Sequence, residues 1–440
     1  MVASKRIIFF VKSFNDFDNI LPVIYFLSKN YSDHSIKVFS LVEDMSDFKY
    51  QADYCMNSLN ISVDYLFYGD KSVINFMLDF LMKVSRKLSI NKNKTYFIPL
   101  LLLNGRLKYI IQLLSNIVIN RLLFLTDRES IIMIDFGNEL SILGHSLVRL
   151  ANSKKIPIIG YLHGYSIYLN KDTLTLDKSN IGYVKKTIIR FSKHNKKRLY
   201  CDCYLVGPSQ KETFFKSGQM PNFSEKKFNR VNEIGIPRYA VEWIDIYRKN
   251  VIKDSDFYYG DRNKLNVCMF LSHPKYNVDL KSLYNLIHKI SLIENVNFVI
   301  KPHTRNNFNG LNKEKMIAYD ASNISSVLLS QWSDVGIVYG SSIAIQLLID
   351  HVPVILPSFV DKNYTILQHM NVCTDLRNVQ ETISLLNRLD KNNVDTLIDS
   401  KCVDRFIRKI VYGEKKYDKL MNNFCESILE CKSANHNWVC

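Results

Sequence analysis

Short apolar runs alternate with helically spaced apolar positions along most of the chain, and each run is closed by polar or turn-forming residues. That alternation is the sequence form of a parallel sheet with helices on both faces, because strands buried on both sides read as continuous apolar runs. In the first half, 6–12, 36–42, 61–67, 130–135, 157–162, 203–206 and 231–236 read as strands, and 18–28, 138–153 and the stretch after Ser209 as helices. From 69 to about 125 the pattern turns helical, with Leu107, Ile110, Ile111, Leu114, Ile117, Val118, Leu122 and Leu125 at the spacing of one face. This stretch reads as a helix packed on the sheet, with a helix lying on a membrane surface as the alternative.

Polar, turn-rich residues at 248–263 mark a linker. Beyond it the alternation resumes, with strands expected at 265–271, 296–301, 325–328, 335–338 and 352–356, helices at 279–293 and 342–350, and a helical tail over 375–432. The expected fold class is α/β, with two doubly wound Rossmann-like domains facing a cleft, at 1–250 and 264–440. At 440 residues the chain exceeds the ~250–300 at which single cores stop growing, which agrees with two domains.

Charge narrows the partners. The formal net charge of +16 favours an anionic one: a nucleotide, a phospholipid surface, an acidic glycan or a nucleic acid. No nucleic-acid-binding motif or repeated basic-aromatic stripe accompanies the charge, so no nucleic-acid partner is expected. The segment 183–200 carries Lys185, Lys186, Arg190, Lys193, Lys196, Lys197 and Arg198 and reads as a solvated loop or as a dock for anionic head groups or an acidic acceptor. The nine cysteines lack C-x-x-C spacing, which reads as reduced cytoplasmic thiols without a zinc site. With no signal-type cleavage region and no apolar run of the ~18 residues that span a bilayer, a cytoplasmic protein is expected, soluble or peripheral at the inner face of the cell membrane.

Three constellations carry candidate chemistry. Lys301-Pro-His-Thr-Arg305 follows a strand and groups a cation, the His303 imidazole, the Thr304 hydroxyl and the Arg305 guanidinium, a set suited to phosphate oxygens. Gly340, Ser341 and Ser342 join a strand to a helix and offer hydroxyls and backbone N–H groups, while Ser is also an ordinary helix cap. Both groups follow strands of one expected sheet and describe one pocket. In the first half, Asp135 and Glu139 follow one strand and His163 with Gly164 the next, which makes Asp135, Glu139 and His163 the candidate proton acceptors for an attacking hydroxyl. The chain has no G-x-G-x-x-G after the first strand, no P-loop, no H-E-x-x-H and no G-x-S-x-G, which sets aside dinucleotide oxidoreductases, P-loop NTPases, zinc proteases and α/β-hydrolases.

With these residues the chain resembles the GT-B glycosyltransferases of bacterial surface polysaccharide synthesis. Two branches are closest: the sialyltransferases and Kdo transferases that use CMP-sugars, and the CDP-glycerol glycerophosphotransferases. Ser341 and Ser342 match the Ser pair of the first branch, and His163-Gly164 the H-G of the second. Phe136 departs from the acidic-acidic-Gly motif at its second position, and Thr304 replaces the usual Pro after His303. The resemblance implies a cytidine-nucleotide donor held by Lys301, His303, Arg305, Ser341 and Ser342, and a glycan or lipid-linked acceptor. It also implies Asp135 or His163 as base, and no metal or other cofactor. The alternatives are a nucleotide-sugar epimerase of the UDP-N-acetylglucosamine 2-epimerase kind and a non-catalytic glycan-binding subunit.

Overall fold

The structure, a computed structural model, describes residues 4–66, 77–78, 80–84, 98–124, 129–162, 164–170, 173, 201–217, 229–252, 257–303 and 318–433. Two separate parallel sheets carry the fold. The first contains β1 (Arg6–Val11), β2 (Ser35–Ser40), β3 (Val63–Tyr65), β4 (Ser130–Asp135), β5 (Ile158–Tyr161), β6 (Cys203–Val206) and β7 (Val231–Glu233), in the order β3-β2-β1-β4-β5-β6-β7. The second contains β8 (Leu265–Phe270), β9 (Val296–Lys301), β10 (Tyr319–Asp320), β11 (Val335–Val338), β12 (Val354–Pro357) and β13 (Thr374–Leu376), in the order β10-β9-β8-β11-β12-β13. Each unit begins in mid-sheet, winds to one edge and returns to build the other side. This creates a switch point between β1 and β4 and another between β8 and β11, where ligands of open α/β sheets gather.

Continuous apolar runs build these strands because each has two apolar layers to fill. Ile7, Phe9 and Val11 of β1 pack toward the helix Phe14–Asn30, while Ile8 and Phe10 pack toward the opposite layer with Ile132 and Ile134 of β4. In the same way Leu265, Val267 and Met269 of β8 join Leu283, Leu286 and Ile287 of the helix Leu280–Ile290, while Cys268 and Phe270 face the other side.

Four expectations are corrected. The segment 325–328 is not a strand: the Ser325 side chain accepts from Val327 N and caps a helix at Ser326–Trp332. On the helix Ile98–Phe124, Ile111 and Val118 face the sheet, but Ile110 and Ile117, expected on the same face, are exposed. At about 100° per residue, Ile110 and Ile117 fall outside the arc of Ile111, Ser115, Val118 and Ile119, which is the buried one. The side chain of Leu122 and all of Leu125 lie outside the described residues.

The linker is also shorter than 248–263, since Tyr247, Val251 and Ile252 are buried in the first unit's core and Arg248 makes a two-pronged contact with Asp350 at 2.7 Å. Finally, the second unit does not keep the chain to its end. The helix Tyr417–Leu429 lays Leu420, Met421, Phe424, Cys425 and Ile428 into the core of the first unit, and Lys5 Nζ donates to Leu429 O. Among the described residues no helix is long and apolar enough to cross a membrane. The basic segment 183–200 lies outside them.

Candidate functional site

Three loops meet at the carboxyl edge of the second sheet, after the adjacent strands β9, β8 and β11. The loop after β8 holds Ser272-His273-Pro274-Lys275. Lys275 N donates to His273 Nδ1 at 3.2 Å, which leaves Nε2 as the protonated nitrogen of the neutral ring and therefore a donor. The loop after β9 brings His303, whose ring meets the His273 ring edge-on at 5.6 Å. In the loop after β11, Gly340 O accepts from Ser272 Oγ at 3.2 Å. Gly340 has φ +62°, and a Cβ there would overlap the Tyr168 hydroxyl and approach Ser272 Oγ to 2.8 Å. Glycine is therefore required on two independent grounds.

The structure brings His303, Ser341 and Ser342 to one edge but gives Lys301 another task. Lys301 is buried, and its ammonium donates to the carbonyls of Ala321 at 3.2 Å, Ser322 at 2.8 Å and Ile324 at 2.6 Å. Three donors meet three acceptors, so this cation ties down the 321–324 turn rather than reaching a phosphate. Burial pulls its pKa down to about 8. Past the Ser pair, Ala344 N donates to Ser341 O at 3.4 Å and Ile345 N to Ser342 O at 3.0 Å, the first bonds of the helix that follows. The pair also brings its two hydroxyls to this edge. Thr304 and Arg305 lie outside the described residues.

The first unit reaches across to this edge. Tyr168 donates to Asp361 Oδ2 at 3.1 Å, Leu169 N to Tyr364 O at 2.9 Å, and Ile366 N to Ile167 O at 2.8 Å. Burial raises the Asp361 carboxyl to about 6, against the opposing pull of hydrogen bonds from Asn363 and Tyr168. A second tie runs through Arg238, which is ion-paired with Asp18 of the helix Phe14–Asn30 and donates to Tyr239 Oη at 2.9 Å. Tyr239 in turn donates to Ser342 Oγ at 3.0 Å. With its oxygen so occupied, the Ser342 hydroxyl keeps its own hydrogen to donate onward.

At the carboxyl edge of the first sheet the candidate carboxylates have structural work. Asp135, the last residue of β4, is buried and accepts from Gly137 N at 3.1 Å. Glu139 is buried and accepts from Cys201 N at 3.1 Å and from the Tyr204 hydroxyl. Asp16 braces β1 against β4 by accepting from Lys12 N and Asn138 Nδ2, both at 3.1 Å. His163 lies outside the described residues. Its chain neighbours Leu162 and Gly164 line a small hollow open to solvent and walled by Ile20, Tyr161, Tyr165 and Phe424. A Cβ on Gly164 would meet nothing within 4 Å. The eight described cysteines are free, and no cluster of His, Cys, Asp or Glu among the described residues could hold a metal.

Sequence reasoning missed the 272–275 loop. The signal was present: a polar S-H-P-K closing the apolar run LNVCMFL, in the first strand of the unit, where the switch point must fall.

No protein-family model matches the sequence, and no curated protein matches it. Solved structures match over nearly its whole length. A Listeria monocytogenes structure named for UDP-N-acetylglucosamine 2-epimerase shares 12% identity, with 97% of each chain covered and a TM-score of 0.51. The glycotransferase of kitacinnamycin shares 10% identity, with 97% of this chain and 99% of that chain covered and a TM-score of 0.52. At these identities the likeness is one of fold, and the fold of this chain is the two-domain α/β architecture of the GT-B type.

Proposed function

We propose that the chain is a GT-B glycosyltransferase that moves a sugar or polyol-phosphate unit from a cytidine-nucleotide donor to a glycan or lipid-linked acceptor. The setting would be capsule, O-antigen or related surface polysaccharide synthesis. The observation that carries the reading is the convergence of His273, His303, Ser341 and Ser342 on three adjacent strand ends at the second switch point. Hydrogen-bond donors at that edge match the oxygens of a nucleotide phosphate, and they favour the leaving group as its negative charge grows.

In this reading the acceptor occupies the hollow beside Leu162 and Gly164. His163 takes the proton from its hydroxyl, since Asp135 and Glu139 are already engaged in buried hydrogen bonds. The acceptor oxygen bonds to the transferred unit as the bond to the nucleotide phosphate breaks, and the electron pair leaves with the nucleotide. For sugar transfer the substitution inverts the anomeric centre. No metal or other cofactor is assigned, in line with the resemblance to the GT-B families.

The epimerase reading has one observation in its favour, the likeness in fold to the Listeria structure. Incubation with CMP-, CDP- and UDP-activated donors, with and without a glycan acceptor, separates the readings by chromatography of the nucleotides. Acceptor-dependent release of CMP or CDP, lost in His163→Asn, is the expected result. Conversion of UDP-N-acetylglucosamine to its 2-epimer without acceptor would identify the epimerase. Unchanged donors throughout would leave a glycan-binding subunit.

A further inference from the structure

The helix Ile98–Phe124 is apolar on two sides. Its inner face is held by Ile111, Val118 and Ile119 against the first sheet. A surface helix normally turns polar residues outward. Here the outer face presents Tyr109 (59% exposed), Ile110 (43%), Leu113 (46%) and Ile117 (43%). On a regular helix these four share one face with Arg106 before them and Arg121 after them, both exposed, giving a stripe ~22 Å long at 1.5 Å per residue. The whole helix carries Arg106, Lys108 and Arg121 and no acidic residue.

We propose that this stripe is a docking surface for an anionic lipid bilayer. Exposed apolar side chains flanked by cations are the features that let a helix lie at the head-group boundary. The flanking arginines complement anionic head groups, and the chain's net charge of +16 has the same sign. A second copy is a poorer occupant. An antiparallel two-fold pairing about Leu113 would set Arg106 of one copy against Arg121 of the other, like charge on like charge.

Flotation of the full-length protein with vesicles of phosphatidylcholine alone, and with phosphatidylglycerol added, tests this without reference to enzymatic activity. We expect flotation with the anionic vesicles only. The triple variant Ile110→Ser, Leu113→Ser, Ile117→Ser should bind them at least tenfold more weakly, and Arg106→Gln with Arg121→Gln about tenfold more weakly. Because all five side chains are exposed, melting temperatures should stay at the wild-type value. Failure of the wild type to float would overturn the proposal, as would wild-type binding by the triple variant. So would loss of binding only on neutralising Lys185, Lys186, Lys196 and Lys197, or a dimer dissolved by the triple variant.

Discussion

The two sheets share a winding scheme, yet their switch points are furnished differently. At the first, the polar side chains are turned inward: Asp16 joins the β1 and β4 loops, Asp135 caps its own turn, and Glu139 holds Cys201 and Tyr204. At the second, His273, His303, Ser341 and Ser342 are only partly buried. Lys301, Asp361 and Gly340 carry the structural load beneath them. A polar residue at a strand's carboxyl end is therefore not by itself a site. What distinguishes one is whether the side chain's hydrogen-bonding capacity is already committed to the fold.

Substitutions can break or sharpen that contrast. Gly340→Ala should have the largest effect, about 4 kcal/mol of lost stability by denaturant titration. A left-handed alanine is strained, and its Cβ would push Tyr168 away from the buried Asp361 carboxylate. Glu139→Ala should follow at about 3 kcal/mol, since Cys201 N and the Tyr204 hydroxyl lose a buried acceptor. Its folded fraction should bind nucleotide as the wild type does; loss of turnover with unchanged stability would instead make Glu139 a chemical group and erase the contrast.

Lys301→Met should cost about 2 kcal/mol, the stranded carbonyls outweighing relief from burying the charge, with nucleotide affinity within twofold of wild type. A tenfold loss of affinity would return Lys301 to the donor site. The smallest effect is one of pH. Asp361 is raised in the folded state to about 6, so its contribution to stability is full below the unfolded value of 3.8 and is lost as pH rises through about 6. Asp361→Asn should flatten that decline in melting temperature between those two values.

Much of the fold was readable because β1, β4, β8 and β11 are apolar runs flanked by turn residues, and burial on both faces demands such runs. The edge strands of the second sheet were not. β10 has two residues, and β13 pairs Thr374 and Asp375 with Ile355 and Leu356, so neither has the length or apolarity that periodicity detects. The return of the helix Tyr417–Leu429 to the first unit was hidden for another reason: its apolar stripe shows that it packs but not against which core. Within the site, His303 and the Ser pair were legible from their places at strand ends. The engagement of Lys301 was not, because its carbonyl partners lie 20 to 23 residues further along in a turn without side-chain signature.

The most direct test of the central claim, that the second switch point holds a nucleotide, is a thermal-shift titration with CMP, CDP, UMP, UDP and GDP on the wild type and the His273→Ala, His303→Ala double variant. A ligand that binds only the folded state stabilises it by about 2.7 kcal/mol at a hundred times its Kd. We expect CMP or CDP to raise the melting temperature of the wild type, and the double variant to melt where the wild type does but lose the response. A response to UDP alone would contradict the cytidine donor, and one that survives in the double variant would place the nucleotide elsewhere.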